Sequence, residues 1–214
     1  MCGRITQRSG ELPGLVTIEG YGDSRVNDPR DWVRFNGAPS QDFWIIRKHP
    51  KTGENQRDRM TWGLIPYWLK DGTGGRKPIN AKAETVASLP TFRDAYKYRR
   101  CIVPVDNFFE WKAIKGAKVK QPYAIAMKSG DPIALAAIWE NWKIPHTEEW
   151  MRTFCIITTA ANELVRQIHD YACEVRATAW SASVATPGHI HTCADRNARI
   201  EVKNIFVVKA NASL

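Results

Sequence analysis

The amino-acid sequence predicts a single α+β domain in which strands dominate and the helices are few and short. Three observations lead to this prediction. The chain has 214 residues, which suits one domain with a substantial core. Hydrophobic residues make up 43% of it, as is typical of globular proteins. Short apolar runs bounded by turn signals recur along residues 1–214, without a repeat or a linker that would divide them.

The predicted strands are short apolar runs that follow one another along the chain. The first is Asp42–Lys48, and a polar turn is expected after it, at residues 50–59. Further apolar runs lie at residues 101–105, 107–111, 123–127, 133–139, 154–159 and 205–209. The Ser-Gly-Asp-Pro stretch at 129–132 is a clear turn signal between two of these strands.

Helical periodicity is confined to two short stretches. Within residues 84–99, Phe92, Ala95 and Tyr96 follow the spacing i, i+3, i+4, which predicts one buried helix face. A shorter helix is expected after Asn162, whose side chain can cap its first turn.

Charge and cysteine content narrow the choice of partner and compartment. A net charge of +9 favours a polyanionic partner, and nine Trp in a basic chain suggest a base-stacking surface. The five cysteines are an odd number without regular spacing, so reduced thiols are expected. The sequence contains no run of 18 apolar residues, so no membrane span is predicted. No apolar signal segment begins the chain, so a cytoplasmic protein is expected.

The first four residues, Met1-Cys2-Gly3-Arg4, contain the leading candidate for a nucleophile. If Met1 is removed, Cys2 carries a free α-amine and a thiol on adjacent carbons. Such an aminothiol condenses with an aldehyde, because the amine forms a Schiff base and the thiolate then closes a five-membered ring. Gly3 permits close approach of a bound group, and Arg4 supplies a cation that favours a thiolate or binds a phosphate. The alternative is an ordinary N-terminus with a chance cysteine.

Three further residues have side chains suited to this chemistry, and each has an alternative structural role. Asn80 can orient an amine or a hydroxyl through its amide, or can form a turn or cap before the following helix. Glu110 lies among aromatic residues, which favours a protonated carboxyl acting as a general acid, but a glutamate on the wet face of an edge strand fits equally. His169 suits acid–base chemistry near neutral pH, or is an ordinary surface or core histidine.

Metal and nucleotide sites are not predicted. The run from Gly188 to Cys193 includes His189 and His191 and so contains metal-binding side chains, but it lacks a second ligand pair at a spacing known for zinc. The Gly-rich stretch at 71–77 lacks the GxxxxGK[ST] spacing of a phosphate-binding loop. No cofactor is expected.

Several short segments between residues 1 and 170 occur in an order and spacing that are very specific when taken together. They are MCGR (1–4), RFNGAP (34–39), WGLIPYW (62–68), INAKAET (79–85), RRCIVP (99–104), FFEWK (108–112) and FCIITTAAN (154–162), which leads to Ile168-His169-Asp170. In these segments the chain resembles the SOS-response-associated peptidase (SRAP) family, which includes sensors of abasic sites in single-stranded DNA.

The resemblance implies a single β-rich SRAP-like domain with a positively charged groove. It also implies that the N-terminal cysteine joins the ring-opened sugar of an abasic site as a thiazolidine. Transferred by motif, Cys2 is the nucleophile and Asn80 orients its amine and the sugar. Glu110 is the acid/base, and His169 assists ring opening and reversal of the crosslink. The family's contacts to DNA phosphates fall on Arg4 and Lys82, and its contacts to bases or its strand wedge fall on Trp68 and Pro39.

The chain departs from the family pattern at two positions that bear on DNA contacts. Lys82 stands where the family usually has Arg, which keeps the charge and loses the bidentate geometry. Tyr171 stands where the family has a DNA-contacting Arg in a His-Asp-Arg-Met-Pro run, and residues 171–214 show no resemblance.

The leading hypothesis is an enzyme of the DNA damage response that binds single-stranded DNA and crosslinks to abasic sites, with self-removal of Met1. One alternative is a thiol peptidase that uses Cys2 with His169. Another is a non-catalytic, basic nucleic-acid-binding module, for which Cys2 would be dispensable. The expected partner is single-stranded DNA with abasic sites, and a monomer without membrane contact is expected.

Overall fold

A computed structural model describes residues 2–8, 33–71, 75, 77–173 and 205–210. In these ranges strands far outnumber helices. The strands are β1 (Ile5–Gln7), β2 (Arg34–Gly37), β3 (Asp42–Lys48), β4 (Asn55–Trp62), β5 (Asn80–Lys82), β6 (Arg100–Val105), β7 (Asn107–Lys112), β8 (Gln121–Met127), β9 (Ile133–Lys143), β10 (Trp150–Ala160), β11 (Tyr171–Cys173) and β12 (Ile205–Lys209). The helices are α1 (Arg93–Tyr98) and α2 (Glu163–Arg166). The prediction of a β-rich fold is confirmed.

Five of the strands close into a small barrel. β10 pairs in parallel with β4 and antiparallel with β9, and the antiparallel pairs of β3 with β4, β3 with β6, and β6 with β9 complete the ring. Every second side chain of β4 is buried, as expected for a strand with one face in a core. Inside, the Trp62 and Phe154 rings stack with their centroids 6.2 Å apart, and Phe43 meets Trp62 edge-on at 5.7 Å.

The second sheet is antiparallel, with strand order β12-β8-β7-β1-β2. Its residues Ile5, Phe108 and Ile125 belong to the same buried cluster as the barrel interior, so the two sheets share one core. Gly37 pairs with Ile5, and a Cβ atom there would come within 2.5 Å of the Phe43 ring. Glycine at this position therefore allows β2 to approach the barrel closely.

The longest strands position the residues discussed below. The first half of β10 runs between β4 and β9, whereas its second half runs between β5 and β11. Thr158 near its end pairs with Lys82 on one side and with Cys173 on the other. Segments that lie far apart in the sequence are thus brought together at this end of β10.

Most predicted strands are present, usually extended by a few residues. β3 and β12 have the predicted bounds, and Gly130 forms the predicted turn with a φ of 80° and its N–H donating to the Met127 carbonyl at 3.1 Å. The polar turn expected at 50–59 is wrong in its second half, which belongs to β4. The sequence does not reveal the alternation of β4, because two of its buried positions, Gln56 and Asp58, are polar.

Both predicted helices form but are shorter than expected. Ala95 in α1 and Phe92 directly before it are buried, whereas Tyr96, predicted on the same face, is half-buried. In α2 the Val165 N–H donates to the capping Asn162 Oδ1 at 3.0 Å. Over the described residues, no helix combines the length and apolar character needed to cross a membrane. That residues 1–214 form one domain stays a prediction.

Candidate active site

Cys2 lies three residues before the start of β1, and its side chain is fully buried. It is joined by a disulfide to Cys173 in β11, with their Cα atoms 5.8 Å apart. The expectation of reduced thiols is therefore wrong for this pair, while Cys101 and Cys155 are buried thiols outside any disulfide. Sequence reasoning missed Cys173, because its distance from Cys2 along the chain conceals a proximity that pairing of β11 with β10 creates.

Asn80 is the first residue of β5, and its side chain contacts the N-terminal segment. Its Nδ2 donates to the main-chain carbonyl of Cys2 at 2.8 Å. Its Oδ1 is buried and accepts no hydrogen bond from any described residue. The alternative role as a turn or cap before a helix is wrong, because Asn80 pairs with Ile156 in the parallel β5–β10 ladder.

Glu110 lies in β7, an interior strand between β1 and β8, and is only 1% exposed. The alternative of a solvent-exposed glutamate on an edge strand is therefore wrong. The Phe109 N–H donates to the Arg4 carbonyl at 3.0 Å, so β7 runs alongside the residues that precede β1. Burial raises the pKa of the Glu110 carboxyl, and the positive charges of the terminal amine and of His169 offset part of that rise. A raised pKa keeps more of the acid form near neutral pH.

His169 follows α2, and its N–H donates to the Val165 carbonyl at 2.9 Å. The side chain is half-buried and close enough to Glu110 for its charge to lower the pKa of that carboxyl. The structure therefore brings together the four residues predicted to carry the chemistry: Cys2, Asn80, Glu110 and His169.

The four predicted DNA contacts are distributed less closely. Lys82 is exposed and shares a face of β5 with Asn80, since Ala81 between them points into a core cluster. Arg4 is half-buried, two residues from Cys2. Trp68 is 51% exposed, and Pro39 is half-buried in the turn after β2. Arg4 and Lys82 therefore flank the site. For Trp68 and Pro39, the structure shows only how exposed each side chain is.

The segment considered as a possible metal site, with His189, His191 and Cys193, lies outside the described residues. Within the described ranges, no cluster of three or more His, Cys, Asp or Glu side chains could hold a metal ion.

A second group of polar side chains, the buried Arg47 and Asp58 with the exposed Arg152, forms an ion-pair cluster near the start of β10. Arg47 Nε donates to Asp58 Oδ2 at 2.8 Å, and Arg152 Nη1 reaches both carboxylate oxygens at 2.9 and 3.0 Å. The Arg47 guanidinium also stacks on Trp139, 4.8 Å from the ring centroid. Along β10, Arg152 is about 20 Å from Thr158, at roughly 3.3 Å per residue. The cluster and the candidate active site therefore occupy opposite ends of this strand.

Comparison with known proteins gives one consistent family. A family model described as SOS response associated peptidase (SRAP) matches residues 1–180. The chain is 40% identical over 171 residues to the abasic site processing protein YoqW of Bacillus subtilis (strain 168), covering 79% of this chain and 73% of that protein. It is 31% identical over 173 residues to the abasic site processing protein YedK of Escherichia coli (strain K12), covering 79% and 72%. Against the abasic site processing protein HMCES of Gallus gallus, identity is 30% over 206 residues, covering 79% and 60%.

Solved structures share the fold. A crystal structure of a Bacteroides thetaiotaomicron protein matches with a TM-score of 0.70 and 27% identity, over 81% of this chain and 75% of that one. A Bordetella bronchiseptica protein matches with a TM-score of 0.75 over 98% of this chain and 100% of that one, at 18% identity.

Proposed function

Because this chain belongs to the SOS response associated peptidase (SRAP) family, we propose that it processes abasic sites in single-stranded DNA by a covalent crosslink through Cys2. The family match spans residues 1–180 and includes every proposed site residue. The curated relatives at 30–40% identity carry the name abasic site processing protein. The proposed activity is therefore that of a DNA-processing enzyme of the damage response.

The reaction begins with the open-chain aldehyde of the abasic sugar. After Met1 is removed, the Cys2 amine adds to the aldehyde carbon, and loss of water from the carbinolamine gives a Schiff base. The Cys2 thiolate then attacks the imine carbon, the nitrogen takes up a proton, and a thiazolidine ring closes. The thiolate is the intrinsically stronger nucleophile, so ring closure converts a labile imine into a more stable link.

The single observation that carries this proposal is the hydrogen bond from Asn80 Nδ2 to the Cys2 carbonyl. This bond ties the main chain of Cys2 to β5, which pairs with β10 of the barrel. The nucleophile is therefore held more rigidly than a free terminus would be. The buried Asn80 Oδ1 lacks a donor among the described residues, and an α-amine on Cys2 would supply one. Buried polar atoms are normally paired, so an amine would be stabilised there.

Glu110 and His169 supply the proton transfers. Because burial raises the Glu110 pKa, its acid form persists closer to neutral pH and can protonate the hydroxyl that leaves the carbinolamine. The resulting carboxylate can then take a proton from the thiol. His169 lies beside this carboxyl and is assigned to opening of the sugar ring and to reversal of the crosslink.

Positive charge supplies the affinity for the DNA strand. The net charge of +9 favours binding to phosphates, and this binding weakens as salt rises. Arg4 and Lys82 are assigned to phosphates beside the site, and Trp68 and Pro39 to bases at its margin. We further propose that the protein acts as a cytoplasmic monomer.

Peptidase chemistry is proposed only for removal of Met1. A required free N-terminus explains a cysteine at position 2 better than the nucleophile of a general peptidase does. The bond between residues 1 and 2 adjoins the thiol already, so an intramolecular reaction requires no substrate groove. Intact-mass measurement of the purified chain is expected to show that Met1 is absent.

The decisive experiment mixes the protein, with a reductant present, with single-stranded DNA carrying one abasic site. A band of bound DNA that survives denaturation is expected for the unmodified chain and for Cys101→Ala, which removes a buried thiol away from the site. Cys2→Ala is expected to lose this stable band, although a Schiff base through the new terminal amine can still be trapped with borohydride. A heat-stable link formed by Cys2→Ala, or active protein that fully retains Met1, would contradict the mechanism.

A further inference from the structure

The bond between Cys2 and Cys173 is incompatible with the proposed reaction, because both require the same sulfur atom. A sulfur held in a disulfide has no thiolate form, so the oxidised chain can reach a Schiff base but cannot close a thiazolidine. We infer that Cys173 is a redox partner that switches the nucleophile: the disulfide is the inactive form and the dithiol is the active form. This inference rests on the proposed function.

The position of Cys173 suits reversible pairing. Its Cα lies 5.8 Å from that of Cys2, within the range of about 4.4–6.8 Å usual for disulfides. β11 holds it there through three residue pairs with β10, including Thr158 with Cys173. Because this ladder does not depend on the disulfide, reduction leaves both thiols close together and ready to pair again.

The same strand can shift without damage to the barrel. β11 pairs with the second half of β10, whereas the ring of the barrel closes through the first half, which pairs with β4 and β9. Among the described residues, movement of β11 therefore breaks its three residue pairs with β10 and takes Cys173 out of the core cluster, while the strand pairs that close the barrel remain. This gives a small reductant, and afterwards the abasic sugar, a route to Cys2.

Pairing is selective among the described cysteines. Cys101 and Cys155 are fully buried, and burial raises the pKa of each thiol. Neither of them forms a disulfide, whereas Cys2 and Cys173 do. The redox chemistry is therefore assigned to the pair that includes the proposed nucleophile.

A low-molecular-weight thiol can reduce the Cys2–Cys173 disulfide by two successive exchange steps. Its thiolate attacks one sulfur of the Cys2–Cys173 bond and releases the other as a thiolate, which leaves a mixed disulfide. A second thiol molecule then displaces the protein sulfur, so the chain gains two electrons and two protons and one small disulfide is formed. The reverse sequence, with a small disulfide as the oxidant, restores the protein bond.

The test compares reduced and oxidised samples of the full chain after removal of Met1. One sample is treated with dithiothreitol and the other with oxidised glutathione, and the small molecules are removed before abasic single-stranded DNA is added. The reduced sample is expected to form the stable crosslink, the oxidised sample to lose it, and a second dithiothreitol treatment to restore it. Because Cys173→Ser cannot resolve a mixed disulfide on Cys2, its oxidised sample is expected to retain one glutathione per chain, whereas the unmodified chain and the control Cys101→Ser form the internal disulfide and retain none.

A second measurement reads the thiols without reference to DNA. Samples are quenched in acid and alkylated under denaturing conditions, and peptide mass spectrometry then shows whether Cys2 and Cys173 are protected together. A missing Cys2–Cys173 peptide after oxidation overturns the inference, as do equal crosslinking rates in both redox states. Glutathione retained on Cys2 of the oxidised unmodified chain also overturns it, since the oxidant would then act on Cys2 alone. If the reversible disulfide is found but no reduced sample crosslinks, the proposed function fails and the redox pair stands.

Discussion

Two clusters of polar side chains, each with a buried carboxyl group, lie at opposite ends of β10, and they differ in how fully their hydrogen bonds are satisfied. In the ion-pair cluster, both oxygens of Asp58 accept hydrogen bonds, from Arg47, Arg152 and the main chain of Arg59. At the candidate active site, Asn80 Oδ1 has no donor among the described residues, and burial raises the pKa of Glu110. A saturated cluster has nothing left to exchange with a substrate, whereas the site keeps groups that can accept a donor or lose a proton.

The buried polar groups near the two ends of β10 therefore have different physical consequences. A buried ion pair is strongly destabilising to break, because the remaining charge is left in a medium of low dielectric. An incompletely satisfied site instead lowers stability in the resting chain and gains interactions when a ligand arrives. Substitutions at the two ends should therefore change different measured quantities.

The largest expected effect on the reaction is that of Glu110→Gln, which keeps the side-chain shape and removes the titrating proton. Crosslinking should slow by roughly 10²–10⁴, the usual contribution of a general acid or base. Binding to undamaged single strands should be little changed, because the residue is buried. Single-turnover kinetics and a binding titration test this, and equal losses in both would make Glu110 a structural residue.

The same carboxyl predicts the pH dependence. Its folded pKa is raised, so the folded chain holds the proton more tightly than the unfolded chain. As pH rises from the ordinary carboxyl pKa of about 4.3 through the raised value, the unfolded state ionises first and folding stability falls. Crosslinking through the acid form should fall over the upper part of that window. Glu110→Gln should flatten both profiles.

At the opposite end, Asp58→Ala should act on stability and leave the chemistry intact. Removing this carboxylate leaves Arg47 buried without its partner, which typically costs about 3–5 kcal/mol in the free energy of unfolding. The crosslinking rate constant of the protein that remains folded should match that of the unmodified chain. Denaturant unfolding and single-turnover kinetics measure the two quantities, and a slowed reaction in fully folded protein would break the separation between the ends.

Asn80→Ala should have an intermediate effect on the reaction. It removes one hydrogen bond to the Cys2 carbonyl, of a kind worth about 0.5–1.5 kcal/mol, so crosslinking should slow by about threefold to tenfold. Gln121→Ala is the matched control, because that amide also binds main-chain carbonyls, those of Pro122 and Ala210, at the far edge of the second sheet. Equal rate losses in both variants would show that amide removal acts through stability alone.

The smallest expected effect concerns DNA binding at Tyr171, where the family pattern has an Arg. Tyr171 pairs with Ala160 at the site end of β10, so Tyr171→Arg should add one phosphate contact and steepen the log–log salt dependence by about 0.7. Trp150→Arg is the control, because it adds the same charge at an exposed position at the other end of β10. A salt slope that does not respond to Tyr171→Arg would mean that β11 does not face the DNA.

Sequence reasoning succeeded where local signals were strong. β3 and β12 were predicted with their bounds because each is an apolar run between polar stretches. β4 was missed in part because Gln56 and Asp58 occupy core positions, and their partners lie on other strands. β1 and β5 are three residues long, too short to show a period of two, and they form because neighbouring strands complete them.

The candidate site divides in the same way. Glu110 could be proposed from its aromatic neighbours, and burial raises its pKa as those neighbours suggested. The hydrogen bond between Asn80 and Cys2 depends on the parallel pairing of β5 with β10, which no local pattern encodes. Cys173 was missed for the same reason, since its approach to Cys2 depends on the β10–β11 ladder.

The location of β1 also determines when, during synthesis, the N-terminus can reach its place in the sheet. β1 lies between β2 and β7, so the N-terminus reaches its final position only after residues up to Lys112 have been synthesised. At about 5–20 residues per second, the ribosome needs roughly 5–20 s to reach that point. An aminopeptidase that acts on the nascent chain has this interval in which to cleave after Met1. In the complete fold Cys2 is fully buried, and removal of a remaining Met1 then falls to the side chains of the folded protein itself.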